Sequence, residues 1–529
     1  MVAKDGPACA YRFLWYRIHQ PCVCAHCVCI GHRIWGDTAF LSADNRCSDD
    51  ALSVLFIYLE IILSTRLFHS GTFFDSRHRH IPLEDKVTMK IGLIAMSGIR
   101  VCDSELLRLG LTLPGFVERS KTIASLPSLG LLTLAGLTPA KHQVEYIEMP
   151  DLSQIDTLPQ NFDLVAISSY SAQIGEAYEL GKRYREAGIP VVIGGPHVTV
   201  LPNEAAAVCD AVVVGEGEPL WKDVLADCAN HKLRAIYDAR DCDYDLADSP
   251  IPAFDLLDIS KYNRLTVQTS RGCPHQCEFC ASSVVLTSKY KQKPVNKVIE
   301  EIERILEIWK HPFIEFADDN SLVNKPYWKE LLSWLRDKKV KWFAETDLSV
   351  SEDDELLELM HQSGCAQVLI GLESPIEVGL PGLELRNDWK YRKFPYYKDA
   401  IRTIQSHGIT VNGCFIIGLD GHTPEIFDQV FNFVRDTELY EVQVTILTAF
   451  PGTPLYQRFE KENRILEPNA WQKCTLFDVN FCPANMNPKE LADGFKQLVV
   501  KLYTEEFTGW RRNNFKKYLR KYTHEKGAL

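Results

Sequence analysis

Cys273, Cys277 and Cys280 fall within the eight residues Cys273-Pro-His-Gln-Cys-Glu-Phe-Cys280, separated by three and then two positions, and the next cysteine is Cys365. Cysteine thiolates hold iron–sulfur clusters, and a [4Fe–4S] cube has four irons to ligate. Three protein ligands would leave one iron open to a small molecule. The spacing is too tight for three disulfide partners, and the cysteine usage reads as that of a chain kept in a reducing environment. A structural zinc knuckle is the plain alternative, but it closes with four Cys or His ligands. His275 lies inside the stretch and could supply one.

A cluster needs a rigid frame, and the surrounding sequence alternates strand and helix. Leu265–Thr269 reads as a strand leading straight into the cysteines. Phe313–Phe316, Lys341–Glu345, Gln367–Ile370, Val411–Ile417 and Val442–Leu447 read as further strands. Helices lie between them, such as Val295–Ile308 with apolar Val298, Ile299, Ile302 and Ile305. Six β/α steps are too few for the eight-fold barrel, so an open six-stranded parallel barrel is expected. Acids collect at successive strand ends: Asp318 and Asp319 beside Asn320, Glu345 near Asp347, and Glu373. One acid there is more often a helix cap. Three such ends in succession, after one bearing three cysteines, point to a common site on the face where parallel barrels build theirs.

The same alternation occupies residues 89 to about 230. Lys90–Met96, Val144–Met149, Phe162–Ser168, Pro190–Ile193 and Ala211–Val214 are the expected strands of a doubly wound parallel sheet. Ligands of such sheets lie beyond the strands' carboxyl ends, where Ser168, Ser169, Gly194, Gly195 and Gly217 fall. Glycines there let the backbone approach a bulky ligand, although tight turns alone also account for them. Asp241–Tyr262 is acidic and proline-punctuated, as a linker would be. The expected divisions are a leader (1–88), a first domain (89–235), a linker (236–262), the barrel (263–484) and a helical basic C-terminal segment (485–529).

At 529 residues, about three domains are expected. The 46% hydrophobic and 24% charged composition is that of a soluble globular protein, and the net charge of -12 argues against a general nucleic-acid binder. The leader is different in texture: six of the 17 cysteines fall in the first 50 residues, with no helical or strand period. Cys22, Cys24, Cys27 and Cys29 with His26 could bind a metal, but no second group has zinc-finger spacing. The run Ala51–Leu63 contains Glu60 and is too short to span a membrane. A strand-like opening at Met89 leads to the expectation that Met89–Leu529 folds and works without the leader. Arg511–Lys526 holds seven basic residues against one acid, the pattern of a solvated helix or of contact with an acidic partner or membrane surface.

Taken together, Cys273-x3-Cys277-x2-Cys280 after a strand that opens a β/α barrel resembles the radical S-adenosylmethionine (SAM) superfamily. Val191-Val-Ile-Gly-Gly-Pro-His197, Val213-Val-Gly-Glu-Gly-Glu218, Phe316-Ala-Asp-Asp-Asn320, Gly371-Leu-Glu-Ser374 and Phe450-Pro-Gly-Thr-Pro454 are similar to its cobalamin-binding members. The texture around Thr346-Asp-Leu-Ser349 and after Pro451 is similar to the subgroup with lipid (hopanoid) methylases. The resemblance implies a Rossmann-like cobalamin-binding domain, then an open parallel (β/α)6 radical SAM barrel and a helical C-terminal segment. It implies that Cys273, Cys277 and Cys280 hold a [4Fe–4S] cluster whose open iron binds SAM, cleaved to methionine and a 5'-deoxyadenosyl radical. Phe279 would contact the adenine, with Ile417 and Gly418 packed nearby. Asp318, Asp319, Glu345 and Glu373 would serve the ribose hydroxyls or the methionine ammonium. Ser168, Gly194, Gly195 and Gly217 would line the cobalamin crevice. A flavodoxin- or ferredoxin-type electron donor, a small-molecule or lipid substrate and a cytoplasmic location complete the expectation, with no nucleic-acid partner and no transmembrane segment.

The chain departs from the family at one place. Cobalamin domains that ligate cobalt with histidine carry Asp-x-His-x-x-Gly after the first strand, whereas here that stretch is Ser97-Gly-Ile-Arg-Val-Cys-Asp103. Cobalamin would then bind without protein histidine, or not at all. The expected reaction is cobalamin-dependent methylation of an unactivated carbon. A radical cyclase or rearrangement enzyme without methyl transfer, and a non-catalytic metal-binding scaffold, are the alternatives.

Overall fold

The computed structural model describes residues 88–109, 126–282 and 289–527. The leader, with Cys22–Cys29, lies outside the described residues. Two six-stranded parallel sheets dominate them. The first contains β1 (Lys90–Met96), β2 (Gln143–Met149), β3 (Leu164–Ser168), β4 (Val191–Gly194), β5 (Ala211–Val214) and β6 (Ile236–Asp238), in the order β2-β1-β3-β4-β5-β6. Helices such as Leu129–Leu137 and Ile174–Glu186 cover it, so β1 and β5 are buried on both faces and read as continuous apolar runs. Strand order reverses between β1 and β3, which places the ligand crevice beyond their carboxyl ends. β6 falls in the stretch expected to begin the linker; three residues at a sheet edge are too few to show a pattern.

The second sheet contains β7 (Leu265–Val267), β10 (Phe313–Phe316), β11 (Lys341–Thr346), β12 (Cys365–Glu373), β13 (Thr410–Ile417) and β14 (Glu441–Ile446); a short hairpin, β8 (Ser270–Arg271) and β9 (Lys291–Gln292), stands apart. The order is β14-β13-β12-β11-β10-β7, with no pairing between β14 and β7, so this is the open barrel expected. Side chains alternate along each strand. On β12, Val368, Ile370 and Leu372 enter the large core beneath the helices, while Leu369 joins Cys414 of β13 and Phe343 of β11 in a small separate cluster inside the barrel.

The C-terminal helix, Glu505–Gly527, is not simply solvated. Arg511 is fully buried and donates to the Glu441 carboxylate (3.1 Å) and the Tyr440 carbonyl (3.2 Å) at the start of β14. Further along the helix Phe515 and Tyr522 are also buried, against Tyr440 and His361. A second buried pair, Arg264 with Glu315, lies at the starts of β7 and β10. The helix therefore covers the amino-terminal end of the barrel. Its outer face keeps exposed Lys516, Lys517 and Arg520. No helix among the described residues is long and apolar enough to cross a membrane.

Candidate active site

β8 delivers the chain into the cysteine loop through Gly272, at φ +80, where an added Cβ would lie 2.8 Å from the Lys289 carbonyl. Only glycine takes that turn without strain. Cys273 is half-buried, Cys277 and Cys280 are buried, and none of the three is in a disulfide. Burial pushes the Cys273 and Cys277 thiols well up, as it disfavours a bare thiolate. Among the described residues no three His, Cys, Asp or Glu side chains converge as on a single metal ion. His275 is not poised as a fourth ligand: its Nε2 lies 3.2 Å from Asp347 Oδ2, and its ring packs on Trp389. Burial alone would raise the Asp347 carboxyl, but His275, Asn320 and Ser349 outweigh it and hold it well below the ordinary range.

The acids at the strand ends divide by role. Asp318 accepts from the Thr269 and Ser270 amides (2.6 and 2.9 Å), the Thr269 hydroxyl and the Ser321 hydroxyl. Its oxygens are fully used in pinning the strand that enters the loop, which corrects its expected role as a ligand contact. Burial lifts its pKa to about 6 despite these donors. Asp319 joins the two ends of the loop, accepting from the Gly272 amide (2.8 Å) and the Ser282 hydroxyl. Glu373 closes β12 at φ 61, a strained backbone for glutamate, and is paired with buried Lys390. Glu345 differs: half-buried, it has no hydrogen bond to its carboxylate among the described residues. Burial, then Glu315, Asp319 and Glu373, push its pKa well up.

A small cavity of about 20 Å³ lies beside Cys280, lined by Phe279, Ala281, Ile416, Thr445 and Phe450 among others. Phe279, expected to contact the adenine, lines this cavity. Ile416 lines the pocket rather than Ile417: successive residues of a strand face opposite sides, and Ile417 is fully buried in the outer core.

In the first sheet, Ser168, Gly194 and Gly195 lie at the ends of β3 and β4. Gly195 (φ +110) would place a Cβ 2.9 Å from the Ser169 carbonyl, so it serves loop-to-loop packing, while Gly194 and Gly217 would meet only ordinary contacts. The Gly215–Glu218 loop turns to the barrel. Glu216 and Glu218 grip Arg271, at 2.9 and 2.5 Å, and Glu216 also holds Lys291 at 3.1 Å. Sequence reasoning missed Tyr170 and Gln173 just beyond β3. Gln173 is buried, and its Nε2 has no partner among the described residues while its Oε1 accepts from the Gly98 amide at 2.8 Å. Tyr170 is 45% exposed, yet surrounding protein raises its hydroxyl pKa.

A family model described as the Radical SAM superfamily matches residues 267–434, and one described as the B12 binding domain matches residues 122–225. The chain carries a radical SAM domain preceded by a B12-binding domain. Residues 453–527 match a domain of unknown function, DUF4070. Bacteriochlorophyllide d C-12(1)-methyltransferase of Chlorobaculum tepidum is 28% identical over 387 residues, 71% of this chain and 82% of that protein. Hopanoid C-2 methylase of Rhodopseudomonas palustris is 27% identical over 357 residues, 65% of this chain and 66% of that protein. The structure of the radical S-adenosylmethionine methyltransferase TsrM from Kitasatospora setae, with cobalamin and a [4Fe-4S] cluster bound, shares the fold. Its TM-score is 0.57 at 14% identity, covering 83% of this chain and all of that one. A radical SAM domain works with a [4Fe–4S] cluster and SAM, and a B12-binding domain with cobalamin. The residues present fit all three: a loop of three cysteines outside any disulfide, Glu345 with no hydrogen bond to its carboxylate among the described residues, and Gln173 with its Nε2 unsatisfied among them.

Proposed function

We propose that the protein is a cobalamin-dependent radical SAM methyltransferase acting on an unactivated carbon of a small molecule or lipid. The observation that carries this is the Arg271 clamp. It ties the strand entering the cysteine loop to the Glu216–Glu218 loop of the B12-binding domain, so the two cofactor sites form one unit. When bound, the cluster supplies the electron that breaks a carbon–sulfur bond of SAM, and cobalamin supplies a carrier for its methyl group.

The chain's own residues bind, orient and exclude water. Cys273, Cys277 and Cys280 hold the cluster, and Asp318 and Asp319 keep their loop closed. Phe279 and Ile416 flank the adenine of SAM, while Glu345 receives a cationic or hydroxyl group of the same molecule. Ser168, Tyr170 and Gln173 line the cobalamin crevice. The two buried ion pairs at the barrel floor keep bulk water out of the lumen. A flavodoxin- or ferredoxin-type protein supplies electrons, and the enzyme works in the cytoplasm.

Anaerobic reconstitution of the full chain tests this. With reductant and SAM, formation of S-adenosylhomocysteine should require added hydroxocobalamin, and Cys277→Ala should abolish both bound iron and turnover. Cleavage of SAM only to methionine and 5'-deoxyadenosine, whatever the cobalamin supply, would establish radical chemistry without methyl transfer.

A further inference from the structure

The function above gives residues 453–504, which precede the helix bearing Arg511, no task. We infer that this stretch is a strap that sets the geometry of the two cofactor loops separately, through the positioning residues Arg458 and Asp478. The inference rests on the proposed function.

Arg458 lies on the helix Pro454–Lys461. Its Nε donates to Glu278 Oε2 at 3.0 Å, and its Nη2 to Oε1 at 2.5 Å, a two-pronged grip on a residue between Cys277 and Phe279. A planar guanidinium fixes direction as well as distance, which lysine does not. Its Nη1 is anchored on Asp420 at 2.7 Å. The Leu455 amide donates to the Glu278 carbonyl at 2.9 Å, so the strap holds this residue by backbone and side chain together.

Twenty residues further on, the strap reaches the other site. Asp478 is buried, and its two oxygens accept the Cys102 and Asp103 amides, each at 2.9 Å. The Thr475 hydroxyl orients it at 2.7 Å. Those amides belong to the loop after β1, one wall of the crevice, where histidine-ligating domains carry their ligand. Here the loop has no histidine and is instead held from outside by Asp478. Trp471 packs on His197 after β4, 5.4 Å between ring centroids, so the strap also bears on a second crevice loop.

Ordinary interface packing would loosen both sites together; a strap with two separate grips predicts that they can be loosened one at a time. The full chain is reconstituted anaerobically, with folding checked by circular dichroism. The readouts are bound iron with the electron paramagnetic resonance of the reduced cluster, and hydroxocobalamin affinity by absorbance titration. Arg458→Gln should change the cluster signal or iron retention and leave cobalamin affinity unchanged, with Arg458→Lys restoring the signal only in part. Asp478→Asn turns a donor toward one of the two amides. It should weaken cobalamin by about tenfold, the scale of one buried amide left unpaired, and leave the cluster signal unchanged. If Asp478→Asn does not fold, Thr475→Ala reads the same affinity. Joint loss of both properties in either variant, or no change in both, overturns the strap. A wild-type chain that binds neither group overturns the function and the strap together.

Discussion

Glu345 is a carboxylate the fold does not use for itself. It faces the barrel lumen among Glu315, Asp319 and Glu373, and burial followed by those charges pushes its pKa well above the ordinary 4.5. A carboxyl raised in the folded state keeps a proton that the unfolded chain has released, so stability falls as pH rises above 4.5. Glu345→Gln should therefore raise the apo protein's thermal midpoint at pH 7.5 by about 2 °C or more and flatten its decline with pH, read by calorimetry. The same change should weaken SAM binding by about tenfold, since a site built for a ligand is destabilising without it. At this scale much was legible. Three cysteines at fixed spacing announce their chemistry, and acids at strand ends announce a common face. The division of labour among those acids was not legible, because Asp318 differs from Glu345 only in which donors the tertiary fold brings to it. Ile416 and Ile417 show the same limit: strand parity decides which one faces the pocket, and one residue of uncertainty exchanges them.

The elements depend on small bridges at their ends. His422 is buried after β13; its Nδ1 accepts the Gly418 amide (3.3 Å) and its Nε2 meets the Ser374 hydroxyl (3.1 Å) just after β12. Burial lowers its pKa from 6.5 to about 4. The folded state thus holds His422 neutral, and the stability it contributes is complete above pH 6.5 and is lost as pH falls toward 4. At about 1.4 kcal/mol per unit, the loss amounts to roughly 3 kcal/mol across that window. His422→Gln should flatten the acid limb of a stability-versus-pH curve measured by urea titration. Strand–helix alternation was readable because parallel strands buried on both faces are continuous apolar runs. β6 escaped for want of length, and the buried face of Glu505–Gly527 because Arg511, Phe515 and Tyr522 find partners on distant elements.

At the scale of the molecule, charge is used inside as well as outside. Removing one member of a buried ion pair costs about 3–5 kcal/mol, because the other charge is left uncompensated. Arg511→Met strands Glu441 at the barrel floor and should lower the denaturation midpoint of the whole chain by that cost. Arg271→Met strands Glu218 between the domains, while Glu216 keeps Lys291, and should split a single unfolding transition into two. A calorimetric trace that stays single would show the domains to be coupled by other contacts.

The seam between β14 and β7 has a consequence of its own. No ladder hydrogen bond crosses it, so the wall of the barrel can widen there without breaking backbone pairing, as a ring with a gap can be sprung. Girth of substrate then becomes a question of what packs into the gap rather than of the radical chemistry above it. Amide exchange should reflect this, with the outer edges of β14 and β7 opening well before the pairing of β11 with β12.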